Sequence, residues 1–353
     1  MNKVIRSIIE AGTMAPSGDN CQPWRFEADD RHINIFNVPE RDTSLYNYKQ
    51  RASLVALGAC IENMLIAARK HGCQPGVIYF PTPDNEQHVA RLDLSRGNAT
   101  DEPLLTAIPA RTINRKPYSG GKLPADALDS IRHAATHEDI SGCSLKLMQG
   151  DEMAAAADIA ALSDRLVFEN RLLHGFLFEH LRWNQKEAEF TRDGLDIRTL
   201  ELAKPDRMMF PLLANFSIVR LIRMFGTTAM IAANARKLML SSSAAGIITI
   251  AETSPVNWLN AGRMLERIWL ETTRQGLAFH LMTGITLLSQ RVQDGELEGL
   301  DKSNLSLVKQ AQTLLKQAAG SELPVALLFR IGRCDQPTAR SLRLPVENVT
   351  TRM

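Results

Sequence analysis

Cysteine is scarce and unpatterned in this chain. The 353 residues hold five, Cys21, Cys60, Cys73, Cys143 and Cys334, with no CxxC pair and no regular spacing. An odd, scattered set argues against a disulfide framework and against structural zinc. It fits free thiols in a reducing compartment, so a cytoplasmic location is expected. A surplus of one charge is missing too. Lysine and arginine number 41 against 39 acids, a net charge of +2. With the signs interspersed, there is no electrostatic footing for nucleic acid or an anionic surface. No charge-free apolar run reaches about 18 residues, so no membrane span is expected. The longest apolar region, 208–251, is interrupted by Arg220, Arg223, Arg236 and Lys237. It reads as buried or amphipathic segments, with a membrane-surface helix as the alternative. The opening MNKVIRSIIEAG has too short an apolar run for a signal peptide. GxGxxG, a Walker loop, HExxH and GxSxG are all absent. His133 and His137 lie four apart without a third ligand, and the other histidines are scattered, so no metal is expected.

What is present is an ordinary globular composition, 44% hydrophobic and 23% charged, long enough for two domains or one large one. Apolar residues at helical spacing predict helices over 3–12, 51–71, 101–110, 257–275 and 302–318, one beginning near Pro124, and long helices over 151–189. Strands are predicted over 31–38, 77–80, 89–94, 144–148, 246–251 and 325–331. Residues 190–243 have helical composition broken by Gly194, Pro205, Pro211 and Gly226, and a polar arm ends the chain. Two of the helices are alike. LGACIENMLIAARKHG (57–72) set above AGRMLERIWLETTRQG (261–276) pairs Gly58 with Gly262, Glu62 with Glu266 and Gly72 with Gly276. Either two amphipathic helices agree by chance, or a duplicated half packs two equivalent helices across a pseudo-twofold axis.

Three stretches could carry chemistry. APSGDNCQPWRF (15–26) combines turn formers with amides and a tryptophan. Pro16, Ser17 and Gly18 can present backbone N–H groups and a hydroxyl, and Asn20 and Gln22 both donate and accept. That suits a planar heterocycle; a plain helix end, loop and strand start is the other reading. In RTINR, Arg111 and Arg115 lie four apart with Thr112 and Asn114 between, a phosphate clamp or a solvated basic face. In RSLRLP, Arg340 and Arg343 flank Ser341 after a strand, again an anion grip or a solvated tail.

Together these stretches resemble the nitroreductase family of FMN-binding flavoproteins: the APS..N.QPW segment (15–24), the arginine motif (111–115), the helix WLNAGRMLERIWLETTRQGLAFHLMTG (258–284) and the ending Ile331-Gly332, Ser341, Arg343, Pro345. In ordinary members the arginine motif opens the chain and the APS loop follows. Here the order is reversed, which resembles the duplicated, Acg-like branch. The resemblance implies an α+β fold, antiparallel or mixed sheets flanked by helices, with two related halves forming a pseudo-dimer. The first half is expected over 1–98, with the APS loop and central helix. The second is expected over 99–353, with the phosphate motif, a lid insertion at about 190–243 rich in Met208, Met209, Phe210, Phe216 and Phe225, and a C-terminal arm.

The same resemblance implies FMN, with NAD(P)H as electron donor and a quinone, nitroaromatic or similar small molecule as acceptor. It gives Arg111, Ser341 and Arg343 to the phosphate, with Thr112 near it, and Arg115 to the pyrimidine edge. Pro16, Ser17 and Gly18 cover the ribityl chain and ring. Asn20 and Gln22 touch flavin or hold the loop. Met282, Thr283 and Gly284 bring a backbone N–H near N5. No side chain is expected to be catalytic, since the flavin carries the chemistry. One FMN per chain is expected, because the first half has no arginine motif. The chain would be a monomer through its pseudo-dimer, or pair further as a homodimer. FMN storage without turnover, and another flavin chemistry such as flavin fragmentation, are the rival readings.

Overall fold

The computed structural model describes residues 2–352. The chain opens with α1 (Lys3–Thr13), whose stripe of Ile5, Ile8 and Ile9 is buried. Asn2 caps it by accepting the Ile5 amide at 2.8 Å. β1 (Trp24–Ala28) and β2 (His32–Asn37) form a hairpin, closed by Asp29 Oδ1 accepting the amides of Arg31 and His32 at 2.6 and 2.7 Å. α2 (Arg51–Lys70), β3 (Cys73–Tyr79) and β4 (His88–Arg96) follow. α3 (Ala125–Ala135) and β5 (Cys143–Met148) then lead into a mostly helical insertion: α4 (Met153–Glu169), α5 (Arg171–His180), β6 (Leu181–Arg182), α6 (Gln185–Thr191), β7 (Leu195–Asp196), α7 (Lys204–Met209), α8 (Phe216–Arg223) and α9 (Thr227–Leu240). The chain returns to the core with β8 (Ala244–Ile250), α10 (Pro255–Arg274), β9 (Ala278–Leu281), α11 (Gly284–Gln293), α12 (Lys302–Ala319) and β10 (Val325–Gly332). It ends with α13 (Val346–Val349) and β11 (Thr350–Arg352).

Apart from the two-stranded pair of β6 and β7, the strands build two sheets with one plan. The first runs β11-β1-β2-β4-β3, the second β5-β8-β10-β9. Without β11 the orders correspond strand for strand, with α2 following β2 as α10 follows β8. β8 and β10, the central strands of the second sheet, are buried along their whole length, which is why they read as continuous apolar runs. α2 and α10 cross between the sheets, and their contact is reciprocal. A Cβ on Gly58 would collide with the Leu259 carbonyl, and one on Gly262 with the Val55 carbonyl. The shift that lays 57–72 on 261–276 carries one collision onto the other. Both glycines are required because backbone meets backbone there. The fold is thus α+β with two related halves arranged as a pseudo-dimer. With the turn before it, α2 (Leu45–Lys70) is apolar and long enough to cross a membrane, yet 94% of the qualifying window is buried in this core.

The ends are exchanged between the halves. After β10 the chain crosses to the first sheet, where β11 adds to β1 in parallel, Phe26 opposite Thr350. Leu344 donates its amide to Gln22 Oε1 at 2.8 Å on the way. The expected helix over 101–110 is only a short 3-10 turn, Leu105–Ala107. The segment after it is not helical either: Ile113 bridges Phe279, and the Asn114 amide donates to the Phe279 carbonyl at 2.8 Å.

Candidate functional site

A cavity of about 460 Å3 lies where the halves meet, beside the α2–α10 crossing. Pro16, Ser17 and Gly18 form one rim, from the loop between α1 and β1. The Ser17 hydroxyl holds that loop by accepting the Gln22 amide at 2.9 Å. Asp19, Asn20 and Gln22 take positive φ (43°, 58° and 52°), a tight path that explains the crowd of turn formers. Val55, Leu265 and Trp269 of the two central helices supply an apolar wall. Trp269 is itself held by stacking on Phe279, centroids 4.4 Å apart. Met282, Thr283 and Gly284 line the opposite side at the start of α11. The Met282 amide is committed to the Leu328 carbonyl at 2.8 Å, so the N–H groups that can serve a ligand here are those of Thr283 and Gly284.

Arg115 also lines the cavity and donates to the Thr199 carbonyl at 3.0 Å. It is joined by three residues that sequence reasoning did not select, Arg330, His280 and Asp164. Arg330 is fully buried in the middle of β10. Its guanidinium donates to the Leu238 and Lys116 carbonyls at 2.9 and 3.0 Å and lies 4.1 Å from the Tyr118 ring centroid. Burial lowers the pKa of both arginines. Among the described residues neither is ion-paired with a carboxylate. Arg330 Nε donates to His280 Nδ1 at 3.1 Å. That bond assigns the neutral tautomer with the proton on Nε2, and burial together with Arg330 and Arg115 holds the His280 pKa well below the ordinary imidazole range. Burial pushes the Asp164 carboxyl up to about 6, against the pull of Arg115 and Arg330. The signal was available in part: an arginine inside the apolar run VALLFRIG is an expensive residue that needs a reason.

Six of the expected site residues lie outside this lining. Arg111 points away from the cavity, paired with Glu266 at 3.1 Å, donating to the Met14 carbonyl at 2.5 Å and lying over Trp269 at 4.5 Å. Thr112 makes only a 3.5 Å contact to the Ile113 carbonyl. Arg343 grips the loop from behind, donating to the Ala15 carbonyl at 2.9 Å and to Asn20 Oδ1 at 2.8 Å. Burial, with Arg111 nearby, lowers its pKa to about 9. Ser341 lends its carbonyl to Arg343 at 3.2 Å. Asn20 donates to the Leu342 carbonyl at 3.0 Å, and Gln22 to the Arg192 carbonyl at 2.9 Å. These amides hold the loop against the arm and the insertion. The lid expectation also changes. The roof comes from α4 and α5 as well as the later segment: Phe168, Phe176, Leu200, Leu202 and Phe210 line the cavity. Phe216 packs edge-on to His174, while Met208, Met209 and Phe225 face solvent at 81%, 58% and 79% exposure.

A smaller cavity of about 290 Å3 mirrors the first. Leu65, Gly76, Val77 and Tyr79 line it where the repeat shift places Trp269, His280, Leu281 and Thr283 in the larger one. Arg263 enters it, paired with Glu62 at 2.9 Å and bonded to the Tyr79 hydroxyl at 3.0 Å.

No protein-family model matches the chain. Among curated relatives, the Mycobacterium tuberculosis (strain CDC 1551 / Oshkosh) protein "Uncharacterized protein MT1398" is 26% identical over 346 residues, 95% of this chain. The chain spans about half the length of that relative, 46%. "Putative NAD(P)H nitroreductase acg" of the same organism is 25% identical over 296 residues, 81% of each chain. In sequence the chain is similar to a protein named as a putative NAD(P)H nitroreductase of the Acg type, at 25% identity. A solved structure of the FMN-dependent nitroreductase NfnB from Mycobacterium smegmatis in complex with NADPH aligns over 70% of this chain and 97% of its own, with 12% identity and a TM-score of 0.40. The reversed motif order sits in a chain whose two larger sheets share one plan.

Proposed function

We propose that this protein is an FMN-dependent oxidoreductase that takes hydride from NAD(P)H and delivers it to a small-molecule acceptor such as a quinone or nitroaromatic. The observation that supports the reading is the cavity's pairing of a flat apolar wall at Trp269 with two cations, Arg115 and Arg330, that make no direct ion pair among the described residues, the lining acids Asp19 and Asp164 acting on them only through the cavity. Guanidiniums held in a cavity without a direct ion pair favour an anionic ligand. The donor set therefore fits a flavin mononucleotide: an aromatic wall, amides at the start of α11, the Pro16–Gly18 rim, and guanidiniums for negative charge. Bound there, the flavin would supply reversible hydride transfer between nicotinamide and acceptor. Arg115 and Arg330 stabilise negative charge in the cavity, and the roof excludes water. His280 Nε2 holds a proton at the cavity surface, and the Asp164 carboxyl holds one below about pH 6. Arg111, Asn20, Gln22, Ser341 and Arg343 act from behind, fixing the rim. The halves are divided near residues 98 and 99 and arose by internal duplication. A cytoplasmic location and a single flavin per chain belong to the same proposal.

Storage of FMN without turnover is the second reading, supported by the roof of Phe168, Phe176 and Phe210 over the cavity. Anaerobic addition of NADH or NADPH to the purified yellow protein separates the two. Bleaching of the flavin band on the timescale of turnover supports the enzyme. Reduction by dithionite alone supports storage. A colourless protein that takes up no FMN overturns both.

A further inference from the structure

The insertion shows an apolar surface that the redox reading does not use. Of thirteen large hydrophobic side chains exposed among the described residues, eight fall between Lys204 and Leu240. Met208, Leu221, Met224, Phe225 and Met230 are 60–81% exposed. They cluster at the ends of α7 and α8 and the start of α9, around the corner at Gly226, whose φ of 81° turns the chain. Such concentration marks an interaction surface rather than scattered exposure. Its charge is one-sided, which corrects the expectation, drawn from the charge balance of the whole chain, that no anionic surface has an electrostatic footing here. Between Asp206 and Glu252 the sequence has no acidic residue but has Arg207, Arg220, Arg223, Arg236 and Lys237. Arg223 is paired with Glu169 and Arg236 with Asp158. Among the described residues no ion pair engages Arg207, Arg220 or Lys237, all exposed. α8 and α9 together are apolar enough to cross a bilayer, but they meet at 90° and so do not form one straight span.

We infer that the α7–α9 segment docks this protein onto an anionic lipid bilayer, with the Met224–Phe225 corner entering the headgroup boundary and the free basic side chains meeting lipid phosphates. Charge complementarity decides the occupant. Two copies joined face to face through this patch would bring Arg207 and Arg220 against their own kind, whereas an anionic leaflet attracts both the apolar corner and its basic surround. The inference holds with or without a bound flavin. Because Leu200, Leu202 and Phe210 line the redox cavity from the same stretch of chain, docking places the cavity roof at the membrane surface.

Flotation of the full-length protein with vesicles tests this. Vesicles of phosphatidylcholine with phosphatidylglycerol should carry the protein, and vesicles of phosphatidylcholine alone should not. Arg220→Ala should weaken partitioning about fivefold, the loss expected for one basic residue at an anionic surface. The double variant Met224→Asp/Phe225→Asp should abolish flotation without changing the melting temperature, because both side chains are solvent-exposed. Failure of the parent to float, equal partitioning to both vesicle types, or flotation of the double variant like the parent would overturn the inference. So would light scattering that shows a dimer dispersed by the double variant with no vesicle binding, which would give the patch to a second copy.

Discussion

Asp164 is a carboxyl that its surroundings hold against ionisation. Burial raises its pKa to about 6, from an ordinary value of 3.8. The folded state therefore binds the proton more tightly than the unfolded chain. The stability this contributes is complete below about pH 4 and is lost as pH rises through 6. Asp164→Asn should match the parent near pH 4 and exceed it by about 3 kcal/mol at most at pH 7, measured by urea unfolding across pH. The arginines divide in the same concrete way. Arg115→Ala removes a cavity cation and should weaken FMN binding about tenfold or more while barely moving the melting temperature. Arg111→Ala leaves the Glu266 carboxyl buried without its cation and should cost about 3 to 5 kcal/mol of stability. The arginine motif was legible as a pair of cations four residues apart. Its split was not, because Glu266 lies far along the chain and spacing alone does not reveal which way an irregular segment turns each side chain.

At the scale of elements, the sequence announced those whose burial is periodic. The correspondence of 57–72 with 261–276 is realised as α2 against α10, and the aligned glycines are the points of closest approach. Gly262→Ala should therefore destabilise by about 1 to 3 kcal/mol, the usual cost of forcing atoms into a filled contact, and a lowered urea midpoint would report it. An unchanged midpoint would mean that the helices can separate freely. Short elements escaped for a physical reason. β9 has four residues and β11 three, too few for alternation to show, and they are strands because neighbours at the sheet edges accept them. The apolar spacing of 101–110 suited a helix, but the chain there serves as a connector between the halves, and only the Leu105–Ala107 turn forms.

For the whole molecule, the asymmetry between two like halves decides what the fold can hold. Glu62 of α2 meets two arginines of α10, Arg263, 2.9 Å away, and Arg267, 2.8 Å away. Burial opposes the Glu62 carboxylate, but these two cations outweigh it and keep its pKa below the ordinary range. Its counterpart Glu266 has no such pair on α2, where Ala59 and Asn63 occupy the equivalent places, and it takes Arg111 from the connector instead. One side of the pseudo-twofold is thus narrowed by Arg263 of α10 to about 290 Å3, while the other keeps about 460 Å3 and is walled by the 15–24 loop. That loop depends on the arm: Arg343 holds Ala15 and Asn20, Leu344 holds Gln22, and β11 extends the sheet that begins at Trp24. A chain ending after Gly332 loses all of these at once but keeps Trp269, Arg115 and Arg330. Fluorescence titration with FMN should give one site per full-length chain. The shortened chain should bind at least about tenfold more weakly, since ordering the rim then falls to the ligand. Two sites on the full chain would mean that Arg263 does not keep the smaller mirror cavity from taking a flavin. Equal affinity for the shortened chain would mean the rim orders itself without the arm.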